Sequence, residues 1–160
     1  MKSFYSFFEQ AENTANQPPE RVSDTLVTTY GRHNPPHAGH GLTFDKATEI
    51  AGNENADERY YTSHSQDRKK NPLPRDMKLK FLKKMFPKHA DKWDTDDEVK
   101  SVLQAAGKAH NDGYKNFHFV GGGDRKEDMT NLLRKYNGDL FDFENIYGHS
   151  AGERDQDDPM

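Results

Sequence analysis

The chain has 160 residues, no cysteine, and a formal net charge of −4 from 23 basic and 27 acidic side chains. Those values exclude disulfides and thiolate metal sites, and charge so evenly mixed argues against a dedicated duplex-DNA binder. Leu, Ile, Val and Phe together number 26, about 16%, which is sparse, but they fall in clusters and the net charge is small, so one folded domain with a thin core is expected.

In chain order, MKSFYSFFEQAE places Phe4, Phe7 and Phe8 at helical spacing, and a polar run ending NQPPE follows. Residues 1–23 therefore read as a short amphipathic helix and linker, ahead of a domain spanning residues 24–150. TLVTTY (25–30) is a β-branched, strand-like run. Residues 38–51, AGHGLTFDKATEIA, read as a helix with Leu42, Ala47 and Ile50 on its inner side. RYYTS (59–63) is a second strand. PRDMKLKFLKKMF (74–86) reads as an amphipathic helix whose apolar stripe is Met77, Phe81, Leu82 and Met85. DTDDEVKSVLQAAGKAH (94–110) reads as a helix with acids in its first turn. KNFHFV (115–120) is a strand, RKEDMTNLLRKY (125–136) a helix and FENIYG (143–148) a short last strand, before an acidic tail over 151–160. Strands alternating with helices predict an α/β fold. The expected form is a Rossmann-like α/β/α sandwich whose parallel sheet has about five strands, the first of them near the centre. No apolar run approaches the roughly 20 residues of a membrane span, and the N-terminus lacks the apolar core of a signal peptide, so a cytoplasmic protein without a membrane partner is expected.

In such folds ligands bind at the carboxyl ends of the strands. Three unusual sequences fall there: GRHNPPHAGH (31–40), SHSQDRKKNPLP (63–74) and GGGDR (121–125). In the first, two prolines stiffen the turn, Gly39 permits close backbone approach, and His37 and His40 straddle a helix N-terminus whose free N–H groups attract phosphate. Arg32 adds a permanent cationic fork. A metal site from His33, His37 and His40 is disfavoured, because no acidic ligand adjoins them and the spacing suits no common zinc pattern. In the second sequence, Lys69 and Lys70 offer charge to a leaving pyrophosphate; the lesser alternative is a solvated basic loop. In the third, glycines let a base or ribose lie against the backbone, and Asp124 is suited either to ribose hydroxyls or to capping the next helix.

The run G-R-x-N-P-P-H-x-G-H resembles the signature of the HxGH nucleotidyltransferase superfamily, over residues 24–150 by element order. The adenylyltransferase branch, which includes nicotinamide-nucleotide adenylyltransferases, carries a similar serine-rich stretch running into Asn-Pro and a similar G-x-D element. The resemblance implies that His37, His40, Lys69 and Lys70 handle the phosphates, and that Gly31, Arg32, Asn34, Gly39, Gly121, Gly123, Asp124 and Arg125 surround the nucleotide. It implies adenylyl transfer from ATP, with CTP the lesser choice, to a small phosphorylated acceptor, with Mg²⁺ on the triphosphate, pyrophosphate released, and no nucleic-acid partner. The competing reading is a nucleotide-binding phage virion or regulatory protein without turnover. MKSFYSFFEQA resembles leader segments of tailed-bacteriophage proteins, which would place the protein in the host cytoplasm or on a virion; an ordinary helix is the preferred reading of that stretch. The family's Ser/Thr-rich triphosphate segment of the S-x-T-K-x-R kind does not follow SAGERD before Met160. The expectation is ATP binding with poor turnover, unless Arg125 or a basic residue of a neighbouring copy in a homo-oligomer replaces that clamp.

Overall fold

The computed structural model describes residues 21–33, 36–64, 73–122 and 125–151. Four strands, β1 (Thr25–Gly31), β2 (Asp57–Thr62), β3 (Asn116–Gly122) and β4 (Asn145–Ala151), form one wholly parallel sheet in the order β2-β1-β3-β4. The connecting helices are α1 (His40–Glu54), α2 (Arg75–Met85), α3 (Val102–Asn111) and α4 (Arg125–Tyr136), with a 3₁₀ turn over Pro87–Lys92 after α2.

Because strand side chains alternate, neighbouring apolar residues go to opposite faces. Leu26, Tyr30, Tyr61, Phe117, Phe119 and Ile146 pack with Val102, Ala105, Ala106 and Ala109 of α3 and Leu133 of α4. Val27, Tyr60 and Val120 pack on the other face with Phe44, Ala47 and Ile50 of α1 and Leu79 and Leu82 of α2. Both faces of β1 are thus covered, which is why its run LVTTY lacks a polar alternate face.

Among the described residues, four strands stand where about five were expected. At the outer edge of β2, where a fifth strand would pair, Trp93 makes a single parallel bridge with Tyr60 and the Asp94 N–H donates to the Tyr60 carbonyl at 3.0 Å. The chain then leaves the sheet because its aspartates bond their own backbone. Asp94 Oδ1 accepts from the Asp96 N–H at 3.1 Å, and Asp96 Oδ1 from the Glu98 N–H at 3.0 Å, competing with both ladder and helix. For the same reason the helix expected over 94–110 begins only at Val102, where Ser101 Oγ accepts from the Gln104 N–H at 3.1 Å as an N-cap.

The apolar stripe expected on α2 is turned outward. Met77, Phe81 and Met85 are 42%, 37% and 43% exposed, and only Leu82 of the four is buried. Arg75, Lys78 and Leu79 share the inner side with it. Arg75 is held there by Asp97 at 2.6 Å and the Asp94 carbonyl at 3.1 Å, so its stem packs while its charge is satisfied. On α1, Leu42 is exposed and Phe44 takes the inner position.

Candidate functional site

β1 ends at Gly31, and the turn that follows is built by histidines. A Cβ on Gly31 would lie 2.8 Å from His33 Nε2, so glycine is what lets the His33 ring fold back over the strand end. His33 is buried and sits in the left-handed region at φ 46, a conformation that costs a non-glycine residue roughly 1 kcal/mol. Its ring compensates with contacts: Nδ1 lies 3.0 Å from Thr62 Oγ1, and the ring meets those of His40 edge-on at 4.6 Å, Trp93 at 5.7 Å and Phe44 at 5.7 Å.

His37 and His40 are fixed by the turn's own amides. The His37 N–H donates to His40 Nδ1 at 3.0 Å, and the Gly39 N–H donates to His37 Nδ1 at 3.1 Å. With Nδ1 accepting in both rings, each neutral imidazole carries its hydrogen on Nε2. The rings stack at 3.8 Å with an interplanar angle of 27°. Gly39 serves this arrangement, since a Cβ there would lie 3.0 Å from His37 Cε1. Burial, then the neighbouring His37, lowers the His40 pKa to about 4. Burial first, then His40, Lys78, Arg125 and His37, holds His33 well below the ordinary imidazole range.

A cleft of about 340 Å³ opens at the carboxyl ends of β1 and β3. Of the residues expected at a site, Gly31, Arg32, His37, His40, Gly121 and Arg125 line it. Gly121 is tightly enclosed: a Cβ there would lie 2.8 Å from the Phe119 ring and 3.2 Å from the Lys126 amide nitrogen at the start of α4. Asn34, Lys69, Lys70, Gly123 and Asp124 lie outside the described residues. Thr29, Tyr30, His33, Thr43 and Gly122 also line the cleft and were not singled out as its ligands. The signal for Thr29 and Tyr30 is their position just before Gly31, at the carboxyl end of β1; His33 sits inside the quoted motif. Burial raises the Tyr30 pKa against the opposing pull of Arg75 and Arg125, leaving a neutral phenol.

No carboxylate among the described residues lines the cleft, while two arginines do. Arg125, first residue of α4, keeps a buried Nε with no hydrogen-bond partner among the described residues. The lining thus offers cationic and N–H donor groups, the chemistry that suits an anion. Among the described residues no group of three or more His, Asp or Glu side chains is placed to hold a metal ion, and Nδ1 of each of the three turn histidines already has a partner.

The histidine shifts set a pH dependence. Both run downward, so an unfolded chain titrating near 6.5 takes up protons that the folded chain refuses. This contribution to stability is intact above about pH 6.5 and is lost as pH falls toward about 4. Urea midpoints are expected to decline from about pH 7 to pH 5, above most of the carboxylate range. A flat midpoint across that interval would contradict the burial of neutral imidazoles here.

Comparisons of the chain with protein-family models, with curated proteins and with solved structures find no match.

Proposed function

We propose that the chain is a nucleotidyltransferase of the HxGH kind on a Rossmann-like fold, and that the cleft receives the phosphates of a nucleoside triphosphate. The observation that carries this reading is the fixed histidine pair: two stacked imidazoles whose Nδ1 atoms are tied to turn amides, leaving Nε2–H donors beside an arginine-lined cleft without carboxylates. The GRHNPPHAGH signature and the GGGDR sequence at the end of β3 support ATP as donor, over CTP.

In the reaction an oxygen of a small phosphorylated acceptor attacks the α-phosphorus in line, the P–O bond to the leaving group breaks, and pyrophosphate departs with that electron pair. Nothing in this scheme requires a covalent enzyme intermediate. The chain's part is positioning and charge stabilisation: the Nε2–H groups of His37 and His40 donate to phosphoryl oxygens, and Arg32 and Arg125 balance the polyanion. The described residues offer Mg²⁺ no carboxylate in the cleft, so the ion is not assigned to them and no step passes through it. Binding an anion against a neutral imidazole raises that imidazole's pKa, so ATP binding is expected to take up protons below neutral pH.

A pyrophosphate-release screen of ATP and CTP against nicotinamide mononucleotide, pantetheine phosphate, sugar phosphates and phosphocholine tests the reading. Release with ATP and one acceptor is expected. Binding of ATP without release under every acceptor would place the protein in the non-catalytic class, and absence of nucleotide binding would remove the reading altogether.

A further inference from the structure

Lys78 has no part in the scheme above. Its side chain is fully buried on the inner side of α2, two helical turns' worth of exposed Met77, Phe81 and Met85 facing the other way. Its Nζ donates to the Arg32 carbonyl at 2.9 Å and to Ser63 Oγ at 3.3 Å. The two acceptors belong to different segments, one leaving β1 and one leaving β2. Two further bonds close the same seam: the Ser63 N–H donates to the Gly31 carbonyl at 2.8 Å, and Thr62 Oγ1 donates to the Arg32 carbonyl at 3.3 Å. The ammonium therefore sits where the turn carrying Arg32 and His33 departs from the sheet.

Among the described residues, the charged and titratable groups that act on Lys78 are cationic or neutral. Arg75 lies one turn back on α2, Arg32 and His33 on the turn after β1, and His64 after β2. Arg75 is itself engaged by Asp97 and by backbone carbonyls. Its two acceptors among the described residues, the Arg32 carbonyl and Ser63 Oγ, are both parts of the cleft's framework. Burial, then Arg75, then Arg32, brings its pKa from 10.5 down to about 8.

We propose that Lys78 is a positioning residue whose ammonium ties the turn after β1 to the segment after β2 and so sets Arg32 and His33 for a polyphosphate. The proposal rests on the anion-site reading and adds a proton-linked control to it. A neutral amine is a weaker tie to two oxygen acceptors and adds no favourable field for an anion, so the site loosens as pH rises through the lysine's titration.

The test uses the full chain and ATP as probe, with affinity measured by calorimetry from about pH 7.5 to 9.5, where ATP phosphates no longer titrate. Wild-type affinity is expected to fall through this range. Lys78→Met is expected to bind roughly tenfold more weakly at pH 7.5, the scale of one charge-assisted contact, and to lose most of the pH dependence. Lys78→Arg keeps a charge that does not titrate and is expected to hold affinity at pH 9.5. Urea denaturation of each variant separates folding from binding, since a merely structural lysine would move the midpoint and leave the pH profile of affinity per folded molecule unchanged. Wild type that fails to bind ATP overturns the anion-site reading and this proposal together. Wild-type binding matched by Lys78→Met, with the same pH profile, overturns the role of Lys78 alone. Should Lys78→Met not fold, loss of affinity at pH 9.5 in Lys78→Arg equal to that of wild type overturns it instead.

Discussion

Replacing His40 with alanine is expected to lower the rate of nucleotidyl transfer by a factor on the order of 10²–10³, with only a small loss of stability. The ring is half-buried, stacked on His37 at 3.8 Å and meeting His33 at 4.6 Å. Its Nδ1 accepts the His37 N–H, so alanine removes a phosphate donor and also releases the neighbour that holds the second one. The exposed His37 amide is then free to bond water, and alanine is well suited to the first position of α1. Turnover per folded molecule and the melting temperature, taken together, check this. A melting temperature that collapsed while turnover per folded molecule stayed normal would make His40 a structural residue.

Phe44→Ala is expected to have the largest effect on stability, about 3–5 kcal/mol by urea denaturation. Phe44 is 0% exposed, and its ring meets Tyr60 at 5.2 Å, Phe86 at 5.1 Å, Trp93 at 5.3 Å and His33 at 5.7 Å. Against a total of about 5–15 kcal/mol for a domain, that loss threatens folding itself. It also reaches the site, because Phe44 and Trp93 are two of the walls holding His33 in its left-handed conformation. Phe44→Leu, which keeps most of the volume, is expected to cost less than half as much. Equal midpoints for Phe44→Ala and wild type would mean that the aromatic cluster does not bear the α1 face of the sheet.

The elements that sequence showed well are those whose local and tertiary preferences agree. TLVTTY and KNFHFV are β-branched or aromatic, bounded by polar residues, and buried on both faces. RKEDMTNLLRKY begins and ends as expected, at Arg125 and Tyr136. The break after β1 was legible as a turn because prolines and glycines there end the strand before the next helix. What escaped notice is burial of charge. On α2 the face 75, 78, 79, 82 is as regular a helical stripe as 77, 81, 85, but two of its members are Arg and Lys. Hydropathy sends those outward, whereas carbonyls and carboxylates from distant segments draw them in. The stub at Trp93 was hidden for a related reason: a single bridge to Tyr60 leaves no two-residue period to find. His33 was visible as a residue, but its left-handed backbone and its place under His40 depend on Thr62 and Trp93, which lie 29 and 60 positions further on.

The sheet's central seam has a consequence for how the protein is made. β1 pairs with β2 through nearby chain, yet its other edge waits for β3, and Thr25 meets Asn116 across a sequence separation of 91. At a synthesis rate of about 5–20 residues per second, that second partner emerges about 5–20 s after the first strand has left the ribosome. For that interval LVTTY, uncharged and β-branched, presents an unpaired edge of the sort that recruits other chains. Early pairing with β2 and coverage by α1 shield one edge and one face but leave the β3 side open. Yield in a cell should therefore depend on how quickly residues 102–122 arrive and dock, a matter of translation speed and chaperone access.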